Sequence, residues 1–177
     1  MKTSNIRIII CGGNGSGKST LGKELAGRIG VPFLDIEDYY FPANTTEYCY
    51  DKPREKEEVE QLLKKDMMSL SQYIVAMTRP NFSNDINSMF SSAIYIKVPK
   101  STRLERVKER SFKRFGKRIM PGGDLYVKEK VFFEMVRNRK ESEIITSLEK
   151  LRIPIVEING ERPLNENVEI LLDYFNL

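Results

Sequence analysis

The residues whose types and order could do chemistry begin at Gly12-Gly13-Asn14-Gly15-Ser16-Gly17-Lys18-Ser19. They fit G-x-x-x-x-G-K-[ST], the pattern of a phosphate-binding loop, or P-loop. Without Cβ atoms, Gly12, Gly15 and Gly17 can take positive φ, so successive backbone N–H groups turn inward as a nest for an anion. A helix opening at Lys18 adds its unpaired N–H groups and dipole. Lys18 brings a full charge to the terminal phosphates, and the Ser19 hydroxyl is placed to ligate Mg²⁺. The expected ligand is a nucleoside triphosphate, taken as ATP, with magnesium. Gly13, Asn14, Gly15, Ser16, Gly17, Lys18, Ser19 and Thr20 would hold it.

A second constellation follows the next apolar run: Asp35, Glu37, Asp38, Tyr39, Tyr40 and Phe41. Ligands of open α/β sheets bind beyond the carboxyl ends of the strands, which draws this run toward the P-loop. Phosphoryl transfer needs a carboxylate there, to take a proton from an acceptor hydroxyl or to hold a magnesium-bound water. Asp38 stands first, then Asp35, then Glu37. The rings can clamp a planar or sugar-like acceptor. The plainer alternative is that Asp35 caps a turn, Glu37 is solvated and the rings only pack.

A third feature is basic. Residues 97–118 carry Lys97, Lys100, Arg103, Arg106, Lys108, Arg110, Lys113, Arg114, Lys117 and Arg118 against only Glu105 and Glu109. Arg103, Arg106, Arg110 and Arg114 recur at helical spacings, which puts guanidinium groups on neighbouring faces. Arginine suits bidentate phosphate recognition and stacking on a base. The segment after them, with Gly116, Pro121, Gly122 and Gly123, reads as a mobile lid over about 111–126, with Arg118 within it.

The elements that must position these groups alternate strand and helix. Ile6 to Cys11 is a strand, Lys18 to Ile29 a helix stopped by Gly30, and Phe33 to Ile36 a second strand. That is a βαβ unit, which lays its strands parallel. Residues 42–53 read as a loop, and Pro53 to Met68 as a helix with Val59, Leu62, Leu63 and Met67 inward. Gln72 to Met77 and Ala93 to Val98 are strands around a weaker helix near 84–91. Lys100 to Arg114 is helical with Leu104 and Val107 inward. Val127 to Leu151 is helical with a break near Arg139 to Glu141. Ile153 to Ile158 is the fifth strand, and Leu164 to Phe175 the last helix. The expectation is an α/β, three-layer P-loop NTPase fold in a single domain over residues 1–177. It has a five-stranded parallel sheet in order 2-3-1-4-5, with acceptor contacts in segment 42–91.

Composition agrees. The 177 residues are 40% hydrophobic and 31% charged, with a formal net charge of +4. No apolar stretch reaches the roughly 18 residues of a membrane span. The first ten residues carry charge and run into a strand, so neither a signal peptide nor an anchor is expected. Cys11 and Cys49 make no disulfide framework, which points to a reducing cytoplasm.

Val98-Pro99 followed by Leu104-Glu105-Arg106-Val107-Lys108-Glu109-Arg110 resembles the start of the lid in adenylate kinase-like nucleoside monophosphate kinases. The resemblance implies that Arg106 stacks on the base and Arg110 binds phosphate. It implies that Glu157 to Leu164 is the last strand and purine loop, bringing Arg162 to the nucleotide, and that Arg137 or Arg139 binds the transferring phosphate. Glu37-Asp38-Tyr39-Tyr40-Phe41-Pro42 is similar to the acidic-aromatic motif of the uridine kinase and nicotinamide riboside kinase group, where an aspartate is the base. This implies Asp38. The chain departs from the nucleotide kinases after its third strand, where Met77-Thr78-Arg79-Pro80-Asn81 holds no acid. The magnesium task then falls to Asp35 or Asp38, beside Ser19.

The function expected from the sequence is ATP-dependent phosphoryl transfer to a small-molecule acceptor: a nucleoside, a nucleotide or a related metabolite. Competing readings are a regulatory NTP-binding module acting on a protein partner and, least favoured, a nucleic-acid binder using the basic run.

Overall fold

Strand β1 (Arg7–Cys11) is the centre of the molecule, and Ile8, Ile9, Ile10 and Cys11 are all buried. A strand covered on both faces has no polar alternation, which is why this run is continuously apolar. The structure, a computed structural model, describes residues 6–42, 48 and 50–177. Strands β2 (Phe33–Asp35), β3 (Tyr73–Met77), β4 (Ser92–Lys97) and β5 (Ile155–Asn159) join β1 in a five-stranded sheet of order β2-β3-β1-β4-β5. All four pairings are parallel, with Ile9 opposite both Val75 and Ala93.

Side chains alternate across the sheet, and so do its two cores. Ile8, Ile10, Ile74, Ile94 and Ile96 pack on Leu21 and Leu25 of α1 (Lys18–Ile29) and on Val168 and Leu171 of α8 (Leu164–Phe175). Ile9, Val75, Ala93 and Tyr95 meet Val59, Leu63 and Met67 of α3 (Lys56–Ser69) and Ile144 and Leu148 of α7 (Glu141–Glu149). The result is the expected three-layer sandwich in the expected strand order.

The differences lie at the edges of elements. The second strand ends at Asp35, not Ile36, because the chain turns at once into α2 (Ile36–Tyr40). The Asp35 carboxylate caps that helix, accepting from the Glu37 N–H at 3.1 Å. Helix α3 starts at Lys56, beyond Pro53, and α4 is only Asn84–Asn87. In α5 (Lys100–Phe115) the buried stripe is Arg103, Val107 and Ser111, while Leu104 is half-buried. The segment expected to be a mobile connection carries local turn structure. A 3₁₀ turn, Gly116–Ile119, leads into bonds from the Gly123 N–H to the Met120 carbonyl (2.8 Å) and from the Leu125 N–H to the Arg118 carbonyl (3.0 Å). Helix α6 (Tyr126–Asn138) follows, and the break before α7 falls where expected, at Arg139 and Lys140.

Among the described residues, no helix is long and apolar enough to cross a membrane. Cys11 is a buried free thiol, whereas Cys49 and much of the expected loop at 42–53 lie outside the described residues.

Candidate functional site

Residues 12–17 wrap the gap between β1 and α1, and two of their glycines lie close against one residue of α5, Arg103. Arg103 is 2% exposed. Its Nε donates to the Val98 carbonyl at 3.1 Å and its Nη2 pairs with Glu141 at 2.8 Å. A Cβ on Gly13 would lie 2.1 Å from the Arg103 guanidinium, and one on Gly15 would lie 2.3 Å from the Arg103 carbonyl oxygen. Gly15 also has φ of +81°, in the left-handed region. Both glycines are therefore required by close approach, one to a side chain and one to a backbone.

Above the loop lies a cleft of about 360 Å³ lined by the P-loop, Thr20, Glu37, Arg106, Arg110, Gly160 and Arg162. Arg106 donates through both terminal nitrogens to the Gly160 carbonyl, at 3.2 and 3.3 Å, which ties α5 to the turn after β5. Lys18 Nζ donates to the Gly13 carbonyl at 3.1 Å. Burial pulls the Lys18 ammonium down to about 8. Glu37, Cys11 and Asp35 oppose that drop, and Arg110 adds to it. Two cations crowded beside inward-facing N–H groups make a site that demands an anion. The Ser16 hydroxyl oxygen is buried with no hydrogen-bond partner, a further polar group unsatisfied inside the loop. These residues fit a bound polyphosphate. Among the described residues no three His, Cys, Asp or Glu side chains converge on one point. A magnesium ion here would rely on Ser19, a single acid and the nucleotide's own oxygens, a normal arrangement for Mg²⁺.

A second, larger cavity of about 690 Å³ opens on the other side of the loop. It draws on both halves of the chain: Thr78, Arg79 and Asn81 after β3, and Val131, Phe132, Met135 and Arg139 from α6 and its end. Segment 42–91 thus supplies only part of the wall. Asn14 and Glu37 line both cavities. They mark the point where a group in one space reaches a group in the other.

The three acids near β2 separate because α2 is helical. Successive residues turn by about 100° around such a helix, so Glu37 faces the junction and Asp38 does not. Asp38 is exposed and lines neither cavity. Asp35 is half-buried behind Glu37 as the cap of α2, and close enough to act on Lys18. The arginines separate in the same way. Arg106, Arg110 and Arg162 reach the smaller cleft. Arg118 is exposed and forks onto Asp124 at 3.0 and 2.6 Å, and Arg137 is exposed and pairs with Glu134 on its own helix at 2.6 Å. Neither Arg118 nor Arg137 lines either of these two cavities.

Arg139 does, and it is the arginine that comes to the junction. Just past the end of α6, it donates to Asn14 Oδ1 at 2.7 Å and to the Thr78 hydroxyl at 3.3 Å. Burial, and then the neighbouring Arg79, hold it below the usual guanidinium value. The helix break visible in the sequence is the signal for Arg139, since a residue outside the helix is freed from the helix face. For Arg103 the signal was its place four residues before Val107, on the inward stripe. Nothing local marked Tyr50, Phe132 or Asn81.

Comparison with known proteins agrees with this architecture. Residues 8–120 match the family model described as AAA domain. The Bacillus subtilis (strain 168) protein named "Uncharacterized protein YqaC" is 31% identical over 179 residues, covering 96% of this chain and 97% of that one. Among solved structures, a gluconokinase from Sinorhizobium meliloti 1021 is similar with a TM-score of 0.56 at 17% identity, covering 97% of this chain and 92% of that one. A shikimate kinase from Bacteroides thetaiotaomicron gives a TM-score of 0.57 at 19% identity, covering 97% and 99%. At such identities the likeness is one of fold: a five-stranded parallel sheet with helices on both faces and a P-loop after the first strand. With the family match running from the first strand through the loop to the turn after α5, the chain belongs to the AAA domain family.

Proposed function

We propose that the protein is an ATP-dependent small-molecule kinase, passing the γ-phosphoryl group to a hydroxyl of a nucleoside, nucleotide or related metabolite. One observation carries this reading: two cavities of different character meet at Asn14 and Glu37, beside the P-loop lysine. A module that only hydrolyses or senses a nucleotide has no use for the second space. The names of the structural relatives, gluconokinase and shikimate kinase, support the same class.

In this reading ATP lies in the smaller cleft, its phosphates on residues 13–20 and its base between Arg106 and Arg162. Lys18 and Arg110 balance the charge of the phosphates, and Arg139 reaches the transferring group from the acceptor side. Mg²⁺, held by Ser19, the nucleotide's own oxygens and Asp35 as the single acid, would neutralise charge as it develops on the phosphate oxygens. Glu37 is the base: its carboxylate takes the proton as the acceptor oxygen forms its bond to the γ-phosphorus. The bond from that phosphorus to the β–γ bridging oxygen breaks, and ADP leaves. Asp35 holds Glu37 in place by capping α2. Asp38, first among the acids in the sequence, serves only the outer face of α2.

The test is ADP release from ATP-Mg²⁺ measured with and without a panel of hydroxylated metabolites. Acceptor-dependent release supports a kinase. Slow release that no acceptor alters, but that a protein partner does, would favour a regulatory ATPase module.

A further inference from the structure

Among the described residues, the lining of the larger cavity carries as many cations as anions. Its lining carries Arg79, Lys128 and Arg139 as cations and Glu37, Asp51 and Glu143 as anions. Arg79 is ion-paired with Glu143, and Lys128 with Asp51. Among the described lining residues, that leaves Glu37 and Arg139 outside a carboxylate–cation pair, and both stand at the P-loop junction where transfer would occur. Away from the junction the wall is apolar and aromatic. Tyr50 stacks on Phe132 with centroids 5.5 Å apart and 16° between planes, and Phe41 meets Tyr50 edge-on at 5.2 Å.

We infer that the acceptor is an uncharged alcohol bearing a planar ring, the chemistry of a nucleoside, and not a sugar acid or a nucleoside monophosphate. The inference rests on the kinase reading above and narrows it. A carboxylate or phosphate placed beyond the junction must either displace Glu143 or Asp51 from its partner or be desolvated against ring faces that carry negative charge density. A neutral planar ring gains offset or edge contacts on the same wall and requires no counter-ion. Volume agrees, since the space lies within the roughly 300–1,000 Å³ of small-molecule pockets.

The experiment measures kcat/KM with ATP-Mg²⁺ for adenosine, cytidine and uridine, their 5′-monophosphates, glucose, gluconate and shikimate. Melting temperature is followed in parallel with each compound. At least one nucleoside is expected to exceed every other compound by about tenfold, the equivalent of one good aromatic contact. A monophosphate, gluconate, shikimate or glucose turned over as well as the best nucleoside overturns the acceptor class and leaves the kinase reading intact. Thermal stabilisation by nucleosides without ADP release keeps the pocket assignment and overturns the kinase reading. Neither release nor stabilisation by any compound overturns both. Two variants sharpen the result. Phe132→Ala should raise KM for the best nucleoside by about tenfold with kcat little changed. Glu143→Gln, on an exposed pair that the fold does not need, should raise kcat/KM for gluconate or shikimate by freeing Arg79. An unchanged preference in both variants overturns the inference.

Discussion

Arg139 donates to Asn14 Oδ1 at 2.7 Å across 125 positions of sequence, fastening the end of α6 to the P-loop where the two cavities meet. Its guanidinium is held there by a neutral amide and a hydroxyl and makes no direct salt bridge among the described residues, the position that the proposed transfer of a phosphoryl group between the cavities requires.

Arg139→Ala should therefore lower kcat by about 10²-fold or more while leaving the Kd for ATP within a few-fold, the pattern of a group that acts mainly on the transition state. Arg137→Ala, on an exposed residue outside both cavities, should change neither. Steady-state kinetics with nucleotide binding measured separately decide it. Loss from Arg137→Ala with none from Arg139→Ala would reverse the assignment.

The acids divide in the same way. Glu37→Gln keeps the shape and removes the proton acceptor proposed above, so kcat should fall by about 10²–10⁴-fold. Asp38→Asn should leave kcat near wild type. Similar losses in both variants would show that α2 as a whole, and not one carboxylate, is what the site needs.

Lys18 predicts a pH dependence of stability without nucleotide. Its folded value is about 8 against an ordinary 10.5. Below about pH 8 both states are charged and the cost of burying the ammonium is present in full. Between the two values the unfolded chain binds more protons than the folded one, so stability rises with pH until about 10.5. Lys18→Met should accordingly be more stable than wild type at pH 7 and lose that advantage by about pH 10.5, as read by urea denaturation. Nucleotide should also bind wild type with proton uptake at pH 8–9, visible as a buffer-dependent enthalpy. A constant gap between the two proteins across this range would contradict the assignment.

Arg103 should matter to stability and to nucleotide affinity together. It is buried beneath Gly13 and Gly15 and paired with Glu141, so Arg103→Ala removes support from the loop and leaves the Val98 carbonyl without its donor. About 3 kcal/mol of stability should be lost, at the low end for a broken buried pair because Glu141 reaches solvent. ATP affinity should drop with it. Glu141→Gln, which keeps the Arg103 bond to Val98 but leaves the buried guanidinium without its carboxylate, should also cost stability. Thermal melts and nucleotide titrations of both variants provide the check.

The contiguous features were legible before any coordinates. Glycines at fixed offsets, a β-branched run before them and an amphipathic run after them specify a P-loop, because steric freedom and periodicity act between near neighbours. Helix α8 and the end of α1 at Gly30 fall on the predicted residues for the same reason. The expected inward face of α5 held Leu104, yet position 103 is the buried one. The aliphatic stem of an arginine packs where its guanidinium finds Glu141 and the Val98 carbonyl, partners that hydropathy does not reveal.

By itself, then, the sequence determined the phosphate loop, the alternation of strand and helix and the sheet built from it, since these follow from local sterics and from apolar runs that must be buried. Only the tertiary structure decided which side chains share a space. The turn from β2 into α2 sets Glu37 apart from Asp38, and the end of α6 sets Arg139 apart from Arg137. Arg79 finds Glu143, and Lys128 finds Asp51, across 64 and 77 positions. Those pairings depend on how packed elements aim their ends, which nothing in the neighbouring residues encodes.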